Sequence, residues 1–450
     1  MSTTFGNLKF ISAIERFLKR ESTGGILLFG AAVAAMIIAN SPISESYFHF
    51  LHTEAGFSFG NFHLELSLAH WINDGLMALF FLLIGLEIKR ELLVGELSSP
   101  AKAAFPALGA LGGMIVPAAI YLAFNMADGG NPHGFGIPMA TDIAFALGFL
   151  MLLGNRVPVA LKVFLVSLAV IDDLGAILVI AIGYSSNLDW AALGGAAVVA
   201  GALIALNAGG VKKLVPYLAL GMVLWYLVFQ SGIHATIAGV ILAMTIPVRQ
   251  KITSEQFVDT CRLELDTFGG AEGKRKNMLL TSEQQEAVEK IGEAYEQVQN
   301  PLLRLEHSLH PFSAFLIMPV FALANAGVAL GGGDVNLMQP VAWGVLAGLI
   351  IGKPLGIVGM TFLISRLGWI RKPDSCQWNH IIGAGIIGGV GFTMSIFITG
   401  LAFDEPGLID SAKLAVVSAS LVAGSAGVFY LRRLPPPTCK LDEKQEPKVK

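Results

Sequence analysis

The chain has 450 residues, 54% of them hydrophobic and 14% charged, with a formal net charge of −3. A soluble domain usually carries about 25% charged residues, so this chain has too few charges to cover a water-facing surface. The charge balance also gives no basic bias toward nucleic acid.

The apolar residues come in long uninterrupted blocks, such as 24–40, 76–86 and 163–182. A helix of roughly 17–25 such residues crosses the hydrocarbon core. Continuous rather than alternating blocks exclude a barrel, the other spanning structure that pairs its own backbone. In chain order, twelve spans are predicted near 24–41, 69–88, 103–124, 134–154, 159–183, 191–208, 214–230, 233–247, 312–331, 341–365, 381–401 and 408–431. No small-residue cleavage site follows the first block, which is read as a retained span and not as a signal peptide.

Lysine and arginine concentrate in cytoplasmic loops. With the N-terminus placed in the cytoplasm, of the 30 basic residues only Lys353 and Lys413 fall outside cytoplasmic segments. The expected organisation is a cytoplasmic N-terminus (1–23), a twelve-span domain (24–431), a polar cytoplasmic insert (251–304) and a cytoplasmic tail (432–450) whose charge and prolines predict disorder. Cys261, Cys376 and Cys439 are widely spaced, with no metal or disulfide pattern, and all lie on the reducing side. In the insert, Ser282 and Gln285 fit a capping box, and Val288, Ile291, Tyr295 and Val298 form an apolar stripe on a surface helix.

A charge at mid-span costs about 2.5–3.5 kcal/mol on insertion scales, so such residues point to function. Asp172 and Asp173 lie within 163–182, otherwise Val, Leu, Ile, Ala, Ser and Gly. Neighbouring helix positions are about 100° apart, so both can reach one cavity. Two carboxylates in a poorly hydrated cavity cannot both ionise cheaply. A proton or a small hard cation such as Na+, which prefers oxygen ligands, would settle that charge. Asp142 follows Thr141, and Pro138 predicts a broken helix there. A broken helix leaves amides and carbonyls that need a compensating charge or ion. Gly388, Gly389 and Gly391 mark a matching weak point in the eleventh span. Lys353 sits in the middle of the tenth span and needs an anionic partner, to be found among Asp142, Asp172 and Asp173. His234, near a helix start, reads either as a packing histidine or as a pH sensor. Glu87, Lys89, Arg90 and Glu91 end the second span, and Glu306, His307 and His310 open the ninth. Both groups read equally as interfacial charges or as pH-sensing residues.

Several of these segments together resemble the motifs of the bacterial NhaA-type sodium/proton antiporters. They are residues 140–148 (Ala-Thr-Asp-Ile-Ala-Phe-Ala-Leu-Gly), 169–176 (Ala-Val-Ile-Asp-Asp-Leu-Gly-Ala), 352–356 (Gly-Lys-Pro-Leu-Gly) and 389–395 (Gly-Val-Gly-Phe-Thr-Met-Ser). Residues 86–92 and 232–236, Leu305-Glu306-His307, and His310 with Pro311 are similar as well. The resemblance covers nearly all of 20–431. It implies an all-α fold of twelve spans with inverted repeats, the fourth and eleventh crossing as broken helices at mid-membrane, an architecture this family itself exemplifies. It implies Asp172 and Asp173 as the Na+ and proton carboxylates, with Thr141 and Asp142 lining the site. Lys353 and Asp142 would offset the half-helix dipoles, with Lys353 also paired to a site aspartate. Glu87, Arg90, Glu91, Glu306, His307 and His310 would sense cytoplasmic pH, and His234 is linked to pH response in the same family. A homodimer through a hairpin in the first external loop, 45–68, is implied too. The insert departs from the family's usual short loop.

The activity so implied is secondary transport in the bacterial inner membrane, with Na+ and also Li+ leaving as H+ enters. It uses no ATP and no cofactor. Two other readings compete with it. An intramembrane aspartyl protease needs aspartates facing each other from different helices, whereas Asp172 and Asp173 are adjacent. A sodium-coupled symporter needs a roomy substrate pocket, and no sequence feature names its substrate.

Overall fold

The computed structural model describes residues 22–435 apart from 60–61, 186–187, 251, 271–279, 331–335, 369, 371 and 373–375. The predicted N-terminal segment up to residue 21 and all of the tail beyond 435 lie outside the described residues. Among the described residues, eight helices are long and apolar enough to cross a membrane, or ten if each of two bent pairs counts as one span. Leu214–Gln230 and Thr236–Thr245 are apolar but shorter. A helix is present at each of the twelve predicted segments. Prolines open several of these helices (Pro100, Pro301, Pro340, Pro406), where the missing N–H would find no helical partner in any case.

The chain divides into two compact units. The first comprises Met1–Ala69, Glu96–Gly183 and Met318–Lys450. Its Ser22–Ala39 helix is followed by Ser44–His52 after a bend of 113°. An antiparallel hairpin comes next, Glu54–Phe59 paired with Phe62–Ser67, and it departs from the all-α expectation. Pro100–Asn125, Val159–Gly183, Lys353–Arg366 and Pro406–Arg433 are continuous helices of this unit, and between them run two broken ones. One changes from the 3-10 helix Pro132–Met139 to extended backbone at Ala140 and Asp142, then to Ile143–Met151. The other bends by 43° between Trp378–Gly388 and Phe392–Ala402.

Small residues bring two helices of this unit into backbone contact. A Cβ on Gly112 would lie 2.2 Å from the Gly356 carbonyl oxygen, and one on Gly356 would lie 2.1 Å from that of Gly112. Lys353–Arg366 is therefore pressed against Pro100–Asn125, the close approach that small residues permit in lipid. A π-helical turn, Gly348–Gly352, directly precedes Lys353. Its irregular bonding falls where Pro354 withholds an N–H.

The second unit comprises His70–Gly95 and Tyr184–Ile317. Met77–Leu93 packs on Thr236–Thr245 through Gly239, whose added Cβ would meet the Ala78 carbonyl oxygen at 2.3 Å. Leu82, Leu86, Leu203, Tyr217, Leu224 and Leu242 form its buried apolar cluster. The helix predicted to begin at 312 begins at Pro301, capped by Asn300. Arg304, Glu306 and His307 made its first turns look like loop. In the insert, Ser254–Gly270 pairs with Ser282–Val298, tied by Gln284 Nε2 donating to the Phe268 carbonyl oxygen and by a Lys290–Glu264 ion pair. The capping box is Thr281 with Gln284, one residue before the expected Ser282 and Gln285. Ala287 and Ala294 are buried and Ile291 and Val298 half-buried, whereas Val288 and Tyr295 are exposed, so only half of the expected apolar stripe lies on the packed face.

Gly356→Val should lower the thermal midpoint of the detergent-solubilised protein, as overpacking by about 1–3 kcal/mol requires. Gly359→Val, with open space around it, should leave it unchanged; equal midpoints for the two variants would contradict the packing described.

Candidate functional site

In the first unit Asp142, Asp172, Asp173 and Lys353 are each 1% exposed or less. Lys353 Nζ donates to Asp172 Oδ2 at 2.5 Å, which selects one of the three carboxylates open to it. Thr141 Oγ1 lies 2.7 Å from the same Asp172 oxygen and 3.0 Å from the Gly388 carbonyl oxygen. One hydroxyl proton serves only one of these at a time. The other Asp172 oxygen, Oδ1, is buried with no hydrogen-bond partner. Asp173 follows on Val159–Gly183 and is buried beside it in sequence.

Asp142 occupies the break and serves two helices. Its Oδ1 accepts from Phe145 N at 2.9 Å, the N-cap arrangement that aspartate favours, and so closes Ile143–Met151. Its Oδ2 accepts from Thr393 N at 3.0 Å and from the Thr393 hydroxyl, in the first turn of Phe392–Ala402. That second helix begins at Gly391, which has no side chain to cap it. One carboxylate thus faces the positive ends of two half-helices. The backbones cross as well, with Asp142 N donating to the Val390 carbonyl oxygen at 2.7 Å and Ser395 Oγ to that of Ile137 at 2.6 Å.

The glycines of the second break serve close approach. A Cβ on Gly389 would lie 2.4 Å from the Leu349 carbonyl oxygen, and one on Gly391 would lie 3.1 Å from that of Ala140. On Gly388 it would meet Ile357 Cδ1 at 2.8 Å. Thr141, Asp142, Asp172, Lys353 and the three glycines are accordingly brought to one place.

The expected pH-sensing residues are divided in the second unit. Arg90 Nε pairs with Glu306 Oε1 at 2.9 Å, and another Arg90 nitrogen pairs with Glu91 Oε1 at 2.8 Å. Glu87 lies within electrostatic reach of all three. Glu306 Oε2 is buried without a hydrogen-bond partner. His307 and His310 are exposed. His234 stands apart, its Nε2 3.0 Å from the Tyr184 carbonyl oxygen.

One residue here is not singled out by the sequence, and another has a role that the sequence does not show. Thr393 lies within the 389–395 motif, but attention there falls on the glycines, and nothing local pairs it with a residue 251 positions away. Lys89 Nζ donates to the carbonyl oxygens of Ala243, Met244 and Ile246 at 3.3, 2.7 and 2.5 Å, closing the end of Thr236–Thr245. In sequence, with Glu87 and Arg90 near it, it reads equally as an interfacial charge or a pH-sensing residue, and neither reading shows this cap.

Comparison with known proteins gives a match to the family model described as Na+/H+ antiporter 1 over residues 15–431. The chain is 53% identical to the Na(+)/H(+) antiporter NhaA of Wolinella succinogenes over 98% of its own length and 96% of that protein's. It is 51% identical to the Na(+)/H(+) antiporter NhaA 2 of Helicobacter hepaticus, covering 93% of this chain and 95% of that one. It is 52% identical to the Na(+)/H(+) antiporter NhaA of Helicobacter pylori strain P12, covering 93% and 94%.

Removing one partner of a buried ion pair costs about 3–5 kcal/mol, whereas removing both is often neutral. Lys353→Met should therefore lower the thermal midpoint strongly, and Lys353→Met with Asp172→Asn should restore most of the loss. A double variant as unstable as the single one would show that the pair is not what matters.

Proposed function

The chain belongs to the Na+/H+ antiporter 1 family, a family of multi-pass membrane transporters and not of enzymes, and we propose that it expels Na+, and Li+, in exchange for external H+ by alternating access, using Asp172 and Asp173 as a shared seat for either ion. The observation that carries this reading is a charge count. Among the described residues of the first unit, Asp142, Asp172 and Asp173 are buried, and Lys353 is the one lysine buried there.

The two half-helix ends and Thr393 offset Asp142. Lys353 offsets Asp172 through one oxygen and leaves Oδ1 of that group open. Asp173, ionised next to Asp172 in a low dielectric, adds negative charge that favours a proton or Na+ at the pair. Na+ prefers oxygen donors, and the two carboxylates and the carbonyls released at the breaks are oxygens. Protons and Na+ therefore compete for the same atoms, which makes exchange obligatory without ATP or a cofactor. Where protonation also takes up Asp172 and releases Lys353 from its pair, two protons enter for one Na+, so the exchange moves net charge and responds to membrane potential.

The same reading places the chain in a bacterial cytoplasmic membrane with both termini inside, crossing it twelve times as two inverted repeats. The helix at each predicted segment, the one-sided basic residues and the two broken helices support it. The Arg90, Glu91 and Glu306 cluster, with Glu87, is the proposed pH-sensing part, with His234, His307 and His310 contributing from outside it. The Glu54–Phe59 and Phe62–Ser67 hairpin is the proposed contact of a homodimer.

In proteoliposomes holding only Na+ and a pH gradient, the wild-type chain should couple Na+ flux to proton flux. Asp173→Asn should abolish Na+-driven proton movement; near-normal exchange in that variant would refute the site assignment. A requirement for any further solute would favour symport.

A further inference from the structure

We propose that the first unit carries a binding groove for one acyl chain of a bilayer lipid, seated against the rings of Phe145 and Phe392 at the helix breaks. Two apolar cavities, of about 360 and 260 Å³, share Phe29, Phe145 and Leu421. One extends to Asn40 and Leu330 and the other to Gly25 and Leu152. Together they follow Ser22–Ala39 from Gly25 to Asn40, which at a rise of 1.5 Å per residue is about 22 Å. The groove is thus elongated, and its length is a large part of the roughly 30 Å hydrocarbon depth.

The lining chemistry selects the occupant. Of its two polar residues, Asn40 donates to the Met36 and Val328 carbonyl oxygens and accepts from Leu330 N. Ser420 Oγ accepts from Phe392 N. Both are thereby engaged within the protein, and the remaining lining is apolar. At the rim Ile26, Phe29, Val33, Ile37 and Leu421 are 40–64% exposed, on helices of membrane-spanning composition. The groove is continuous with the lipid-facing surface, so the molecule that reaches it is the bilayer's own hydrocarbon. Water has no hydrogen-bond partner to keep it there.

The floor of the groove belongs to the breaks. Phe145 and Phe392 stack with centroids 4.9 Å apart, and Phe29 lies 6.1 Å from Phe145. Phe145 N holds Asp142, and Phe392 precedes Thr393, which holds the other Asp142 oxygen. A chain in the groove therefore packs against Phe145, whose backbone N–H holds the shared cap, and against Phe392, whose neighbour Thr393 holds it from the other helix.

A phospholipid with a photoactivatable group in its acyl chain, in proteoliposomes of the whole protein, tests this. Peptides containing residues 25–40 and 417–421 should be labelled several-fold more than Trp190–Ala208, whose lipid-facing Val198 and Ile204 border none of this groove. Val33→Trp, which fills the groove from its rim, should bring the labelling down to that reference level; Met36→Trp serves if that protein fails to fold by size-exclusion chromatography. Labelling equal to that of Trp190–Ala208 in the wild type, or unchanged by a folded filling variant, would overturn the proposal.

Discussion

Lys353 and Asp172 meet at 2.5 Å with neither side chain exposed, and much of the first unit exists to make that contact tolerable. A buried ion pair contributes little net stability compared with apolar residues of the same shape. Its upkeep therefore has to be structural. Lysine reaches the carboxylate because its helix lies backbone to backbone against Pro100–Asn125 at Gly112 and Gly356. It enters that helix after a π-helical turn that Pro354 makes necessary. Small residues thus determine helix separation, separation determines reach, and reach determines which carboxylate is neutralised.

The helix breaks follow from the same scarcity of solvent. Irregular backbone is tolerated at membrane depth only where protein covers it and supplies its partners. Here the partners come from across the crossing. Asp142 N finds Val390, Thr141 finds Gly388, and Ser395 finds Ile137. Because Asp142 caps both Ile143–Met151 and Phe392–Ala402, the two half-helices share one electrostatic anchor, and a shift of one is a shift in the cap of the other.

Much of this was readable from residue order. Long apolar blocks mark the helices because lipid leaves no other way to bury them, and Pro138 and the 388–391 glycines mark where two of them fail. Asp142, Asp172, Asp173 and Lys353 stand out because charge is rare in such blocks. What could not be read depends on distance across the fold. Which aspartate takes Lys353, and that Thr393 reaches Asp142, depends on packing between segments far apart in sequence. The capping box slipped by one residue because Thr281 and Ser282 both qualify as caps, and only the helix start decides. Which side of that helix packs on its partner, leaving Val288 and Tyr295 exposed, is likewise decided by tertiary contact. The start of Pro301–Phe312 was hidden because its first turns are as polar as the insert before them. The hairpin pattern of 54–67 came only through resemblance, since such a short ribbon carries little periodic signal of its own.

Thr236–Thr245 has ten residues, about 15 Å of helix, or roughly half the thickness of the oily layer. So short a rod leaves terminal carbonyls where hydrocarbon cannot solvate them, and Lys89 meets three at once. The second unit thereby holds an ammonium against the end of a helix, where its charge meets the negative end of the helix dipole. A helix that ends short can thus be closed by a side chain from its neighbour, where a longer one would close itself in the headgroup layer.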